Sequence, residues 1–188
     1  MQKVFIIHGL GGNPNGGWRP WLMGKLGKKD IYAAALSMPS PEKPVCTEWV
    51  KEISRHIERN AADEIYLIGH SLGVPAILRY LEAAPKKIHL AGVILVSGRA
   101  KKLKEKRLSD FLQKPFDFAK IKTKTKQFLI IHGDNDTVVP FENAEFLSKA
   151  LDTPLVVVKN GGHLNGSSGW YTLSHCLTGL LAMMKQKQ

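Results

Sequence analysis

Ser71 stands at the centre of Gly69-His70-Ser71-Leu72-Gly73, a G-x-S-x-G pattern in which a serine on a sharp strand-to-helix turn can act as a nucleophile. A serine hydroxyl is a weak nucleophile at neutral pH. It needs an imidazole to take its proton, and the imidazole needs a carboxylate to hold its tautomer and stabilise the charge it gains. His163, after Gly161-Gly162, is the candidate base. Asp134 and Asp136 are the candidate acids, within His132-Gly133-Asp134-Asn135-Asp136-Thr137-Val138-Val139-Pro140, and position alone does not separate them. Such a set would perform acyl transfer, with Leu72 N–H, at the start of the following helix, expected to donate to a developing oxyanion. The bland alternatives are a glycine turn with Ser71 as a helix N-cap and His163 as a surface-loop histidine.

Other chemistries find less support. The remaining histidines are His8, His56, His70, His89, His132 and His175, and none lies in an H-E-x-x-H or comparable ligand spacing, so no metal and no cofactor is expected. His8 and His132 each follow a predicted strand and read as orienting or structural groups. Gly9, Gly11 and Gly12 do not form G-x-G-x-x-G, and no G-K-[ST] follows them, which argues against a nucleotide cradle.

The elements that must position these residues alternate between short apolar runs and longer amphipathic segments. That is the pattern of a parallel sheet covered by helices on both faces. Strands are predicted at Lys3–Ile7, Tyr32–Ser37, Glu64–Ile68, Leu90–Val96, Gln127–Ile131 and Leu155–Val158. Helices are predicted at Thr47–Asn60, where Trp49, Val50, Ile53 and Ile57 recur at helical spacing, and at Leu72–Ala84, Glu142–Leu151 and Tyr171–Met184. Pro39, Pro41 and Pro44 mark a loop after the second strand. Arg99 to Lys126 is the least regular and most basic stretch, with a short helix expected around Leu108–Gln113. The chain's 188 residues suit a single domain over 1–188.

Twenty-seven Lys and Arg against 16 Asp and Glu give a net charge of +11 at pH 7. Much of the excess lies in Lys101 to Arg107 and Lys120 to Lys126. Neither run is interleaved with aromatic residues, so a solvated basic face is favoured over nucleic-acid binding. No apolar run reaches the roughly 20 residues of a membrane span, and the strand at Val4 to Ile7 leaves no room for a signal peptide. Cys46 and Cys176 form no CxxC pair and are expected as reduced thiols, which favours a cytoplasmic location.

Taken together, Phe5-Ile6-Ile7-His8-Gly9, the Trp18 to Leu22 stretch, Met38-Pro39-Ser40-Pro41, Glu48-Trp49, Gly69 to Arg79, Ile94-Leu95-Val96-Ser97-Gly98 and Gly161-Gly162-His163 resemble the small serine hydrolase family of α/β-hydrolases. That family includes the retinoblastoma-binding protein of the hydrolase type and related bacterial proteins. The resemblance spans essentially the whole chain. It implies a single-domain α/β-hydrolase fold with a roughly six-stranded, mostly parallel sheet and no large cap, and hence an open or shallowly covered site. It selects Asp136 as the acid, leaving Asp134 as a turn former, and it makes Leu10 N–H, in His8-Gly9-Leu10-Gly11-Gly12, the second oxyanion donor. Trp18 and Trp21 are placed by it to wall an acyl site, a buried structural role being the alternative. The implied substrate is a small ester or amide; the alternative is a protein-interaction module on the same scaffold. After His163 the chain reads Leu164-Asn165-Gly166-Ser167-Ser168-Gly169-Trp170, with fewer acidic residues than relatives are expected to carry there.

Overall fold

The computed structural model describes residues 1–101 and 109–186. Six strands, β1 (Gln2–Ile7), β2 (Tyr32–Ala35), β3 (Glu64–His70), β4 (Gly92–Val96), β5 (Phe128–Gly133) and β6 (Leu155–Val158), pair in the order β2-β1-β3-β4-β5-β6. Every pairing is parallel. Among the described residues seven α-helices accompany them: α1 (Arg19–Gly27), α2 (Cys46–Glu58), α3 (Gly73–Ala83), α4 (Ser109–Leu112), α5 (Phe118–Lys122), α6 (Glu142–Leu151) and α7 (Ser174–Lys185).

Successive strand side chains point to opposite faces, and in a sheet covered on both sides each face must be apolar. The central strands satisfy this residue by residue. Phe5, Ile7, Leu67, Val93, Leu95 and Ile130 pack in one core with Trp49, Ile53 and Ile57 of α2, Ile77 and Leu81 of α3, and Leu147 of α6. Val4, Ile6, Ile68, Ile94, Val96 and Ile131 pack in the other with Leu22 and Leu26 of α1 and Leu180 and Met183 of α7. Cys46 and Cys176 are both buried and unpaired. Among the described residues no helix is long and apolar enough to cross a membrane.

Two helices were not expected. In α1, Gly24 and Gly27 lower helix propensity, yet Pro20 sits in the first turn, where proline is tolerated, and Leu22 and Leu26 put a narrow apolar stripe on the sheet. In α5 the Asp117 carboxylate caps the helix by accepting from Lys120 N–H at 3.0 Å, and Ile121 is fully buried. The basic segment 120–126 is therefore not simply a solvated face: Lys124 is buried and its Nζ donates to Pro85 O at 2.7 Å. Of the other basic run only Lys101 lies within the described residues, as does Ser109–Leu112 of the expected short helix.

The connection β1 to β2 runs towards one edge of the sheet, and the later connections run towards the other. Loops leaving β1 and β3 therefore diverge, and a crevice opens above their carboxyl ends, where ligands bind in open α/β sheets.

Candidate active site

Register brings the crevice residues together. Ile7 of β1 pairs with Gly69 of β3, so the loops beginning at His8 and Ser71 start side by side. Ser71 has φ +55°, a left-handed conformation that costs a non-glycine residue on the order of 1–3 kcal/mol. Surrounding structure holds it there: Ser71 N–H donates to Val96 O at 3.0 Å, and Val74 N–H donates to Ser71 O at 3.1 Å. The turn also needs α3 to pass directly over β1, and a Cβ on Gly73 would collide with the Ile7 carbonyl. The β1 loop comes equally close, since a Cβ on Gly9 would stand 2.8 Å from Ser71 Cβ.

On the far side, β5 and β6 end together, Gly133 pairing with Val158, and the loops beyond them carry Asp136 and His163. Gly162 turns the second loop with φ +55°, and its N–H donates to Asn135 Oδ1 at 2.7 Å. His163 Nδ1 lies 2.8 Å from Asp136 Oδ2, and His163 Nε2 lies 3.0 Å from Ser71 Oγ. A carboxylate only accepts, so the imidazole proton sits on Nδ1 and Nε2 presents its lone pair to the serine hydroxyl. Asp136 thus meets His163 as expected, whereas Asp134 is exposed and accepts from Asn160 N–H at 2.7 Å.

Asp136 is held from several directions. Its Oδ1 accepts from Val138 N–H at 2.8 Å and Val139 N–H at 2.9 Å, and His132 Nε2, which donates to Val139 O at 2.9 Å, is 3.3 Å from Oδ2. Burial by itself would raise the Asp136 pKa, but hydrogen bonds from His132, His163 and Val139 outweigh it and hold the carboxyl well below the usual carboxylate range. The residue stays ionised whenever His163 would be asked to accept a proton.

His70 supports His163 from behind. Its Nε2–H donates to the His163 carbonyl at 2.9 Å, and the two rings lie 5.0 Å apart. Burial, reinforced by the neighbouring His163 and Arg19, pushes the His70 pKa down to about 3, so it remains a neutral donor. His8 is fixed similarly, Nδ1–H donating to Gly9 O at 2.8 Å while Nε2 accepts from Met38 N–H at 3.4 Å.

These residues open onto a cleft of about 590 Å³ whose wall includes Leu10, Leu72, Pro75, Arg19 and Arg99. Leu72 is the N-cap residue of α3 and Leu10 lies in the β1 loop; both line the cleft with Ser71. The tryptophans do not. Trp18 is fully buried and its Nε1–H donates to Leu164 O at 2.9 Å, tying α1 to the loop of His163. Trp21 packs against the core beneath α1 with Lys25 Nζ 6.0 Å from its ring centroid. Neither lines the cleft, because α1 turns its apolar stripe to the sheet and takes both indoles with it. Arg19, His70 and Asn135 were not singled out from sequence. Asn135 had a signal, being a loop amide beside the acid, whereas the placement of Arg19 depends on contacts with other segments.

The family model described as "Serine hydrolase" matches residues 4–181. The chain belongs to the serine hydrolase family. This serine hydrolase is 36% identical over 173 residues to YdeN of Bacillus subtilis (strain 168), covering 92% of this chain and 90% of YdeN. It is 25% identical over 170 residues to the serine hydrolase RBBP9 of Rattus norvegicus, covering 88% of each. The crystal structure of the B. subtilis ydeN gene product superposes with a TM-score of 0.93 at 34% identity, covering 99% of this chain and 100% of that one. Est1E from Butyrivibrio proteoclasticus shares the fold, with a TM-score of 0.73 at 17% identity over 97% of this chain and 86% of Est1E.

Proposed function

We propose that this serine hydrolase cleaves a small ester or amide through an acyl-enzyme, with Ser71 as nucleophile, His163 as base and Asp136 as the acid that orients it. The observation that carries the reading is the unbroken relay from Ser71 Oγ through His163 to Asp136 at 3.0 and 2.8 Å, opening on the cleft. As Ser71 Oγ attacks the substrate carbonyl carbon, its proton passes to His163 Nε2, and the carbonyl π electrons move onto oxygen. The N–H groups of Leu72 and Leu10 receive that oxyanion, aided by the positive end of α3. Collapse re-forms the carbonyl and expels the alcohol or amine, which takes the proton from His163. Water then repeats both steps on the Ser71 ester, releasing the acid and restoring the serine. Asp136 stays ionised throughout and stabilises the imidazolium.

The test is turnover of short p-nitrophenyl esters by wild type and Ser71→Ala. The reading expects measurable hydrolysis by wild type and a fall in kcat on the order of 10⁴-fold or more in the variant. Equal rates for the two proteins would overturn it.

A further inference from the structure

Arg19 is 6% exposed, in a position where a cation is ordinarily paired. Among the described residues no carboxylate lies within salt-bridge distance of it. Among the described residues its one hydrogen bond is from Nε to Asn13 O at 3.1 Å, and Nη1 and Nη2, which are not sealed from solvent, find no protein acceptor. A guanidinium remains charged even so, although burial draws its pKa down and no acidic group offsets the shift. Arg19 also opens α1, and the first turn of that helix contains no acid, so the cation sits at the end where the helix dipole is positive. Both features disfavour the free protein, and an anion brought from outside would relieve both.

The cleft supplies the setting. Arg19 lines it together with Ser71 and His163. Arg99, whose Nη2 donates to Val138 O at 2.9 Å, lines the same cleft, and among the described residues no Asp or Glu contributes to its wall. The loop after His163, Leu164 to Gly169, adds only Asn165, Gly166 and Ser167 to the wall. Two guanidiniums therefore face a cavity that holds the candidate nucleophile and, among the described residues, no counter-charge.

We propose that the substrates of this hydrolase are anionic: the scissile ester or amide carries a carboxylate or phosphate on its acyl or its leaving-group side, and Arg19 binds that group by charge-assisted hydrogen bonds. The proposal rests on the acyl-transfer reading above. A guanidinium fork matches the two oxygens of such a group, which a lysine ammonium would not. Neutral esters that fit the cleft leave Arg19 buried without a partner and bind more weakly.

Matched pairs of esters test this. On the acyl side, p-nitrophenyl hemiadipate is compared with p-nitrophenyl hexanoate; on the leaving-group side, 4-acetoxybenzoate is compared with its methyl ester. Wild type is expected to prefer the anionic member of one pair by about 10- to 100-fold in kcat/KM, mostly through KM, the range for a hydrogen bond to a charged group. The pair in which the preference is found identifies the side. In Arg19→Met the ratio should fall to near one and in Arg19→Lys to an intermediate value, while Lys25→Met, on the exposed side of α1, retains the wild-type ratio. Turnover without anion preference in either pair, or a preference that survives Arg19→Met, overturns the proposal. If wild type hydrolyses neither pair, the hydrolytic reading is at fault and the anion site is decided by calorimetric titration of Ser71→Ala with adipate. Binding there that is lost in Ser71→Ala with Arg19→Met supports the site, and no binding to Ser71→Ala overturns it.

Discussion

Two buried charges stand at the rim of the same sheet and are treated in opposite ways. Asp136, 7% exposed, accepts from two backbone amides and from His163, with His132 beside it. Arg19, 6% exposed, spends one of its five N–H donors on a single carbonyl. The contrast separates a charge satisfied from within the protein from one that faces the cleft. A group satisfied from within is pre-organised and costs no rearrangement during the reaction. One left unsatisfied lowers the stability of the free protein, and its reason must be sought in what enters the cleft.

The comparison can be broken most readily at the acid. Asp136→Asn keeps the shape of the side chain but removes the charge that holds the His163 proton on Nδ1, and kcat/KM for ester hydrolysis should fall on the order of 10⁴-fold. A fall of less than tenfold would mean that His163 does not depend on Asp136. Asp136→Ala goes further and strands the N–H groups of Val138 and Val139; urea unfolding should show a loss of about 3 kcal/mol. Arg19→Met should act with the opposite sign, since replacing an unpaired buried cation by an apolar side chain of similar length removes a desolvation penalty. A modest gain is expected, read as a higher urea midpoint with an unchanged slope. A destabilised Arg19→Met would show that the guanidinium is already satisfied in the free protein.

The smallest effect concerns pH. His70 is neutral in the fold, with its pKa pushed down to about 3, while in the unfolded chain an imidazole titrates near 6.5. Below about pH 6.5 the unfolded chain takes up a proton that the folded protein refuses, so stability present above that pH is lost as pH falls towards 3. Between about pH 6.5 and 5.5 the loss amounts to about 1 kcal/mol by linkage. Asp136 is also depressed, but its contribution is complete above an unfolded pKa of about 3.9 and fades only as pH drops below that. The two windows are therefore separable. His70→Gln, which retains a donor for the His163 carbonyl, should melt with less pH dependence than wild type between pH 6.5 and 5.5; an equal dependence would place the titration elsewhere.

Much of this arrangement was legible in the residues. The apolar strands were found within two residues at either end because buried parallel strands are continuous apolar runs, as in Val93-Ile94-Leu95-Val96. The hydrophobic spacing of α2 and α3 was equally plain. The serine elbow and the loops of Asp136 and His163 were legible because each comes within a few residues of the end of such a strand. What escaped depends on contacts distant in sequence or on local chemistry that composition hides. α1 carries two glycines and a weak stripe, and α5 lies in a lysine-rich segment whose cap is the single residue Asp117. Trp18 reads equally as a pocket wall or as a buried structural residue until the Leu164 carbonyl claims its Nε1–H. Arg19 was not singled out, because an arginine beside a proline gives no sign of what will bury it.

The central claim is that Ser71 is an activated nucleophile, and labelling by a fluorophosphonate followed by intact-mass and peptide analysis tests it most directly. Folded wild type should take up one phosphonyl group per chain, on Ser71, and His163→Ala should take up almost none over the same time. Folded protein that stays unlabelled at Ser71, or that is labelled at another serine instead, would contradict the account.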